Sequence, residues 1–319
     1  MPAINNLLVA LPATPEHLKK FQAAAPGAHI VQALPADVTA EMVRQADVII
    51  GNVPRELLSD APNLHWLQLT SAGADPYVVP GILAKDVLLT NSVGAYGQAV
   101  SEHTAAMVFA LMKKLPLYRD DQFSGTWGEH GTVTSPVGAN VLVLGAGNIG
   151  ICFASIMHAL GSRVIGIKRT LPSFAPEGPE PFAEIHTMDD LPDLLPQADV
   201  VVAFLPSTPQ TRGLVNADFL ARMKPGAIFA NAGRGDLVVS DALVEALASG
   251  HLAGAALDVT SPEPLPADHP LWQQPNALIT PHVAGFWHLP VTLENVVHIC
   301  TQNVQRYVAN KQLRNVVYH

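Results

Sequence analysis

Charge and cysteine are scarce in this 319-residue chain. Asp, Glu, Lys and Arg make up 14% of it, and 27 acids against 18 bases leave a net charge of −9. With no Lys/Arg block and an acidic balance, neither nucleic acid nor an anionic membrane surface is expected as a partner. Only Cys152 and Cys300 are present, far apart in apolar surroundings, which excludes a disulfide framework and a Cys-x-x-Cys site. A reducing, cytoplasmic home is the expectation that follows. No H-E-x-x-H motif or clustered Cys/His spacing is found, so no metal is expected, and no G-x-S-x-G elbow supports a serine hydrolase. The opening "MPAINNLLVALP" has no basic region and only a short apolar run, so no signal peptide is expected. Residues 131–162 contain no Asp, Glu, Lys or Arg, which taken alone could suggest a membrane span. Their interior, "NVLVLGAGNIG", carries three glycines and two asparagines, which fits strand, turn and helix instead.

What is present is apolar and rhythmic. Hydrophobic residues reach 49%, too many for a disordered chain, and the length favours two domains. Short Val/Ile/Leu runs at 7–12, 29–34, 46–51, 64–69 and 87–92 alternate with helical patterns. The rhythm returns at 140–145, 163–167, 198–205, 226–233, 252–259 and 276–280. Such near-continuous runs predict parallel strands buried on both faces, hence an α/β chain of two doubly wound domains. The join is placed near 94–116, where apolar residues at 105, 108, 109, 112 and 115 give a helical stripe ended by Pro116. A final helical pattern over 291–310 is expected to pack back on the first domain. The predicted boundaries are therefore 1–97 plus 287–319 for one discontinuous domain and 98–286 for the other.

Gly145, Gly147 and Gly150 stand in G-x-G-x-x-G spacing, after a strand pattern and at the start of a helical one. The first permits a tight turn, the second lets backbone approach a pyrophosphate, and the third lets helix pack on strand. Three glycines alone could form a turn without a ligand; the strand–turn–helix setting is what points to a dinucleotide.

Later in the chain, "NAGRGD" (231–236), "ALDVTSPEP" (256–264) and "ITPHVAG" (279–285) each lie just beyond an apolar run. Arg234, Glu263 and His282 are thereby predicted at the carboxyl ends of parallel strands, where open α/β sheets bind ligands. Singly, Arg234 could cap a loop or hold a cofactor phosphate, Glu263 could be a solvated carboxylate, and His282 is one of 13 histidines. Together, a cation, a carboxylate and an imidazole are what hydride transfer to a 2-keto acid requires.

These motifs, with "LTSAGAD" (69–75), "TNSVGAYGQAVSEHTAAM" (90–107) and "LPSTPQTRGLV" (205–215), make the chain resemble the D-2-hydroxyacid dehydrogenases, glyoxylate/hydroxypyruvate reductases included. The resemblance covers nearly the whole length. It implies a flavodoxin-like substrate domain and a Rossmann cofactor domain facing each other across a cleft, in a homodimer. It further implies that Arg234 holds the substrate carboxylate and polarises the keto oxygen. His282 would be the proton donor and acceptor, while Glu263 orients the imidazole and favours its charged form. The hydride would come from the nicotinamide. Backbone amides at Ala72, Gly73 and Gly94 resemble the carboxylate site. Asn148 and Ile149 would offer amides to the pyrophosphate, Leu205, Pro206 and Thr211 would form the adenosine-side loop, and Asp258 would bind the nicotinamide carboxamide. Ala232, His282 and Gly285 complete the implied cofactor residues. Tyr77, Trp127 and Trp287 could shape a pocket, although packing is the commoner fate of an aromatic.

The strand "VIGIKRT" (164–170) ends in Lys168 and Arg169, where NAD-dependent relatives place an aspartate for the ribose hydroxyls. Two cations and the Thr170 hydroxyl suit a 2′-phosphate instead, so NADP(H) is the expected cofactor, with NAD(H) possible; a solvated strand end is the other reading. The same family resembles dinucleotide-sensing corepressors, which leaves a catalytically weak sensor as the alternative function. The substrate is expected to be a small 2-keto acid of unspecified side chain.

Overall fold

The computed structural model describes residues 3–170 and 181–318. The chain divides into two units: one runs up to Tyr96 and resumes at Trp287, the other is Gly97–Phe286. The first unit opens with β1 (Asn6–Ala10), α1 (Pro15–Ala24), β2 (His29–Ala33), α2 (Ala40–Gln45), β3 (Val48–Gly51), β4 (Trp66–Gln68) and β5 (Leu88–Thr90). The second contains α3 (Gly97–Met112), α4 (Leu115–Ser124), β6 (Asn140–Leu144), α5 (Asn148–Ala159), β7 (Arg163–Ile167) and β8 (Glu184–His186). It continues through α6 (Leu191–Leu194), β9 (Val200–Ala203), α7 (Ala217–Arg222), β10 (Ala227–Asn231), α8 (Ser240–Ala248), β11 (Leu252–Leu257) and β12 (Ala277–Ile279). The chain then returns to the first unit with α9 (Pro290–Val308) and β13 (Val316–Val317).

Among the described residues, the first sheet has the order β13-β5-β4-β3-β1-β2, parallel except for β13. Leaving β13 aside, this is the flavodoxin-like order. The second, β12-β11-β10-β9-β6-β7-β8, is parallel throughout. Counted from β8 inward, the chain order within this unit is third, second, first, fourth, fifth, sixth, seventh, which is the Rossmann arrangement. Its reversal falls between β6 and β9, and open sheets of this kind receive ligands beyond the strand ends at that point.

The apolar runs explain the layers. β3, β9 and β10 are buried at every residue, as strands covered by helices on both faces must be. In the first unit α9 inserts Val296, Val297, Cys300 and Val304 into a core with Phe21 and Trp66. Trp66 is fully buried, donates from Nε1 to Thr90 Oγ1 at 2.8 Å and stacks on Tyr307 at 5.2 Å. Asn303 of α9 reaches the buried Gln68 (2.8 Å), which also accepts from Thr90 (2.7 Å), so these three buried polar side chains are partnered. At the rim, Glu294 of α9 meets His17 and Lys20 of α1. The His17 hydrogen bond, then that of Lys20, holds its carboxyl below the usual range.

Every strand expected from an apolar run is found. The expectation that Pro116 merely ends a helix is corrected: α3 stops at Met112, Lys114 takes a left-handed φ of 56°, and Pro116 lies in the first turn of α4. A proline's missing N–H is harmless in a first turn, so the same residue can stop one helix and start the next. Two strands, β8 and β13, have no counterpart in the sequence reading; they are three and two residues long. The uncharged segment 131–162 resolves into loop, β6 and α5, and among the described residues no helix is long and apolar enough to cross a membrane.

Candidate active site

The three motif glycines occupy three different environments. Gly145 has φ +99°, and a Cβ there would lie 3.0 Å from Phe204 O. A Cβ on Gly150 would come within 2.3 Å of Gly145 O, so only glycine lets α5 approach the end of β6 this closely. Gly147 differs: it is exposed, with nothing within 4 Å of an added Cβ. It is also the N-cap of α5, with no side-chain cap. Asn148, Ile149 and Gly150 form the first turn that follows, where amides have no intrahelical carbonyl to serve and the helix dipole favours an anion. The open face at Gly147 and the uncapped helix fit a pyrophosphate.

Loops at the carboxyl ends of β10, β11 and β12 carry the ionisable residues. Glycines bring two of these loops together. A Cβ on Gly233 would fall 2.6 Å from Leu205 O and one on Gly235 only 1.7 Å from Thr260 O. Arg234 is thus held between two points of contact, one against the β9 loop and one against the β11 loop. Its Nη1 donates to Gly233 O at 2.8 Å, and its own carbonyl accepts from Asn231 Nδ2 at 2.9 Å.

Glu263 and His282 meet directly, with His282 Nδ1 3.0 Å from Glu263 Oε2. Glu263 is itself oriented, since Oε1 accepts from Thr260 N at 3.0 Å. A carboxylate can only accept, so Nδ1 carries the proton of this bond and Nε2 is left at the other edge of an exposed ring. His282 has φ 53°, a left-handed conformation unusual for a residue with a Cβ. It is imposed from below: His282 N donates to Asp258 O at 2.7 Å and Thr280 O at 3.0 Å.

Asp258 is 4% exposed, and its carboxylate serves the same loop. Oδ1 accepts from Thr280 Oγ1 (2.6 Å) and Val283 N (2.9 Å), and Oδ2 from Ala284 N (3.1 Å). Thr280 also meets Nε2 of His103, on α3, at 3.0 Å. Neither Thr280 nor His103 stood out in sequence. A threonine after a strand and a histidine on a helix are ordinary, and 177 positions separate them.

Leu205 and Pro206 follow β9; Thr211 Oγ1 closes their loop on Pro206 O at 2.6 Å. Ala232 N binds Ala203 O at 3.1 Å, and Gly285 is half-buried just after the His282 loop. Lys168 is half-buried, its N–H on His186 O (2.9 Å), while Arg169 and Thr170 are exposed. Among the described residues neither cation forms an ion pair. Ala72, Gly73 and Gly94 belong to the first unit. Asn91 Nδ2 donates to Ala72 O (2.8 Å), Ser71 Oγ to Gly73 O (2.6 Å), and Gly94 has φ +104°. Asn52, overlooked in sequence, organises this loop through Oδ1, which accepts from the Thr70 and Ser71 amides. Tyr77 is a core residue, 6% exposed with its hydroxyl on Val53 O, and burial raises its pKa to about 12. Trp287 packs on the first unit's core and Trp127 is fully exposed.

Residues 105–284 match the family model described as D-isomer specific 2-hydroxyacid dehydrogenase, NAD binding domain. The human glyoxylate reductase/hydroxypyruvate reductase is 32% identical over 247 residues, 74% of this chain and 73% of that one. A crystal structure of a D-isomer specific 2-hydroxyacid dehydrogenase family protein from Aeromonas salmonicida superposes with a TM-score of 0.84 at 32% identity, covering 98% of both chains. The NADPH-dependent glyoxylate/hydroxypyruvate reductase of Sinorhizobium meliloti, solved with NADP and sulfate, gives 0.80 at 27% identity over 98% of both. The chain belongs to the D-isomer specific 2-hydroxyacid dehydrogenase family. It is accordingly an NAD(P)-dependent oxidoreductase of small 2-keto and 2-hydroxy acids.

Proposed function

We propose that this protein reduces a small 2-keto acid to the D-2-hydroxy acid, with NADPH as the preferred reductant and His282 as the proton donor. The observation that carries the reading is the 3.0 Å pair between His282 Nδ1 and Glu263 at the end of β12. Glu263 fixes the ring's tautomer and orientation, which leaves Nε2 to deliver a proton to a keto oxygen and to retrieve it in the reverse direction. Arg234 supplies a planar cation for the substrate carboxylate and for the charge that develops on the keto oxygen. By family likeness, backbone amides at Ala72, Gly73 and Gly94 in the first unit are proposed as carboxylate-binding groups. A nicotinamide dinucleotide, when bound, supplies the hydride. For it this chain offers the α5 amides at Asn148 and Ile149, the open backbone at Gly147, and Lys168, Arg169 and Thr170 for a 2′-phosphate. We further propose that the protein works as a homodimer. A dinucleotide sensor has no use for an oriented imidazole–carboxylate pair, which weighs against the corepressor-like alternative.

The test is a panel of 2-keto acids, glyoxylate and hydroxypyruvate included, run with NADPH and NADH. Turnover is expected, and His282→Ala should lower it by roughly 10²–10⁴-fold, the loss typical of a general acid. Absence of turnover on the whole panel would sink the enzyme reading.

A further inference from the structure

Behind the His282 loop, polar side chains from α3 and the ends of β11 and β12 form a connected chain. His103 Nε2 lies 3.0 Å from Thr280 Oγ1 and 3.8 Å from Asp258 Oδ1, while Thr280 Oγ1 lies 2.6 Å from Asp258 Oδ1. The direction of these bonds follows from chemistry. The Asp258 carboxyl oxygens already accept from the Val283 and Ala284 amides and act as acceptors, so the single Thr280 hydroxyl proton points to Oδ1, and the hydroxyl oxygen accepts from a proton on His103 Nε2. The carboxylate is buried, so each of its bonds is made away from competing water. Its acceptor positions are taken by residues on both sides of His282: Thr280 before it, Val283 and Ala284 after it. His282 is kept at φ 53° between these anchors, a conformation that a residue with a Cβ holds only when its surroundings impose it.

We propose that His103 is a positioning residue for His282. Through Thr280 and Asp258 it fixes the left-handed backbone at 282 and hence the direction in which the imidazole presents Nε2. Apolar packing would not need a histidine here: neighbouring α3 positions Val100, Ala105, Met107 and Val108 already supply it, and the ring of His103 remains half-buried. The inference rests on the reading of His282 as the proton donor.

The test compares kcat, KM and cofactor Kd for His103→Ala, His103→Gln and Thr280→Val, with His282→Ala and the His103→Ala/His282→Ala double variant. His103→Ala should lower kcat by roughly 10- to 100-fold, the scale of a misplaced reacting group, with cofactor Kd within about twofold of the parent. Thr280→Val should do the same and gives a second route should one variant fold poorly. His103→Gln, which keeps an N–H donor, should recover most of the rate. The double variant should turn over no more slowly than His282→Ala alone, because a positioning effect vanishes when its target is gone. A His103→Ala enzyme with unchanged kcat beside an impaired His282→Ala would overturn the proposal alone. So would a further loss in the double variant, or failure of glutamine to rescue. Unimpaired turnover by His282→Ala would overturn the proton-donor reading itself, and this proposal with it.

Discussion

Arg169 stands exposed beyond β7 with the half-buried Lys168 behind it, and neither has an ion pair among the described residues. A guanidinium suits phosphate oxygens through its planar fork, whereas an ammonium acts as a point charge, so under the proposed NADPH preference Arg169 is the residue we propose for the direct 2′-phosphate contact. A charge-assisted hydrogen bond is worth about 1.5–3 kcal/mol, so Arg169→Ala should cut the NADPH-to-NADH ratio of kcat/KM by roughly 10- to 100-fold. Steady-state kinetics with both cofactors checks this, and an unchanged ratio would remove the assignment. At this scale legibility in the sequence divides by mechanism. Glu263 and His282 sit in motifs that follow apolar runs, so their placement at strand ends could be read from local pattern. The chain of His103, Thr280 and Asp258 could not, since it depends on which helix lies over which strand. Asn52 was missed for the same reason: its partners, Thr70 and Ser71, come from the next strand's loop.

Loops and helix ends, rather than strands, decide how the second unit presents its chemistry. Gly235 is the sharpest case, because a Cβ would sit 1.7 Å from a backbone carbonyl that cannot rotate away. Gly235→Ala should therefore push apart the loops carrying Arg234 and Glu263. The expected cost is about 1–3 kcal/mol of stability, as for overpacked sites, and a larger relative loss of kcat, on the order of 10²-fold for a displacement near 1 Å. Gly128→Ala is the control: an added Cβ there meets its nearest atom at 3.9 Å, so thermal melts and turnover should stay near the parent's. A Gly235→Ala enzyme with the parent's melting temperature and rate would show that the loops can yield. The strands were legible because burial on both faces demands uninterrupted Val, Ile and Leu. β8 and β13 were not: Glu184–His186 and Val316–Val317 pair because tertiary structure brings an edge to them, and two or three residues carry no periodicity. Pro116 misled because its chemistry permits either role, and the left-handed turn at Lys114 decides between them.

For the molecule as a whole, the apolar surface left outside the cores is informative. Phe123 is 85% exposed and Trp127 fully exposed, on α4 and the loop after it, with Leu115 and Val137 also open to water. Burying such side chains is worth about 1.5–3 kcal/mol each, a reason for a second copy to cover them. Sedimentation of the protein should give twice the chain mass, and Phe123→Asp with Trp127→Asp should give the single-chain value; a parent that sediments as one chain would end the homodimer proposal. The route of the chain through its units adds a temporal constraint. The segment Gly97–Phe286 is continuous, so a ribosome delivers everything its Rossmann sheet requires in one uninterrupted stretch. The flavodoxin-like sheet is started before it yet must wait for α9 to leave the exit tunnel, since Val296, Val297, Cys300 and Val304 close its core. During synthesis, Phe21 and Trp66 are therefore orphaned for the time taken to translate an entire second unit, and that half-built sheet is the natural client for a chaperone.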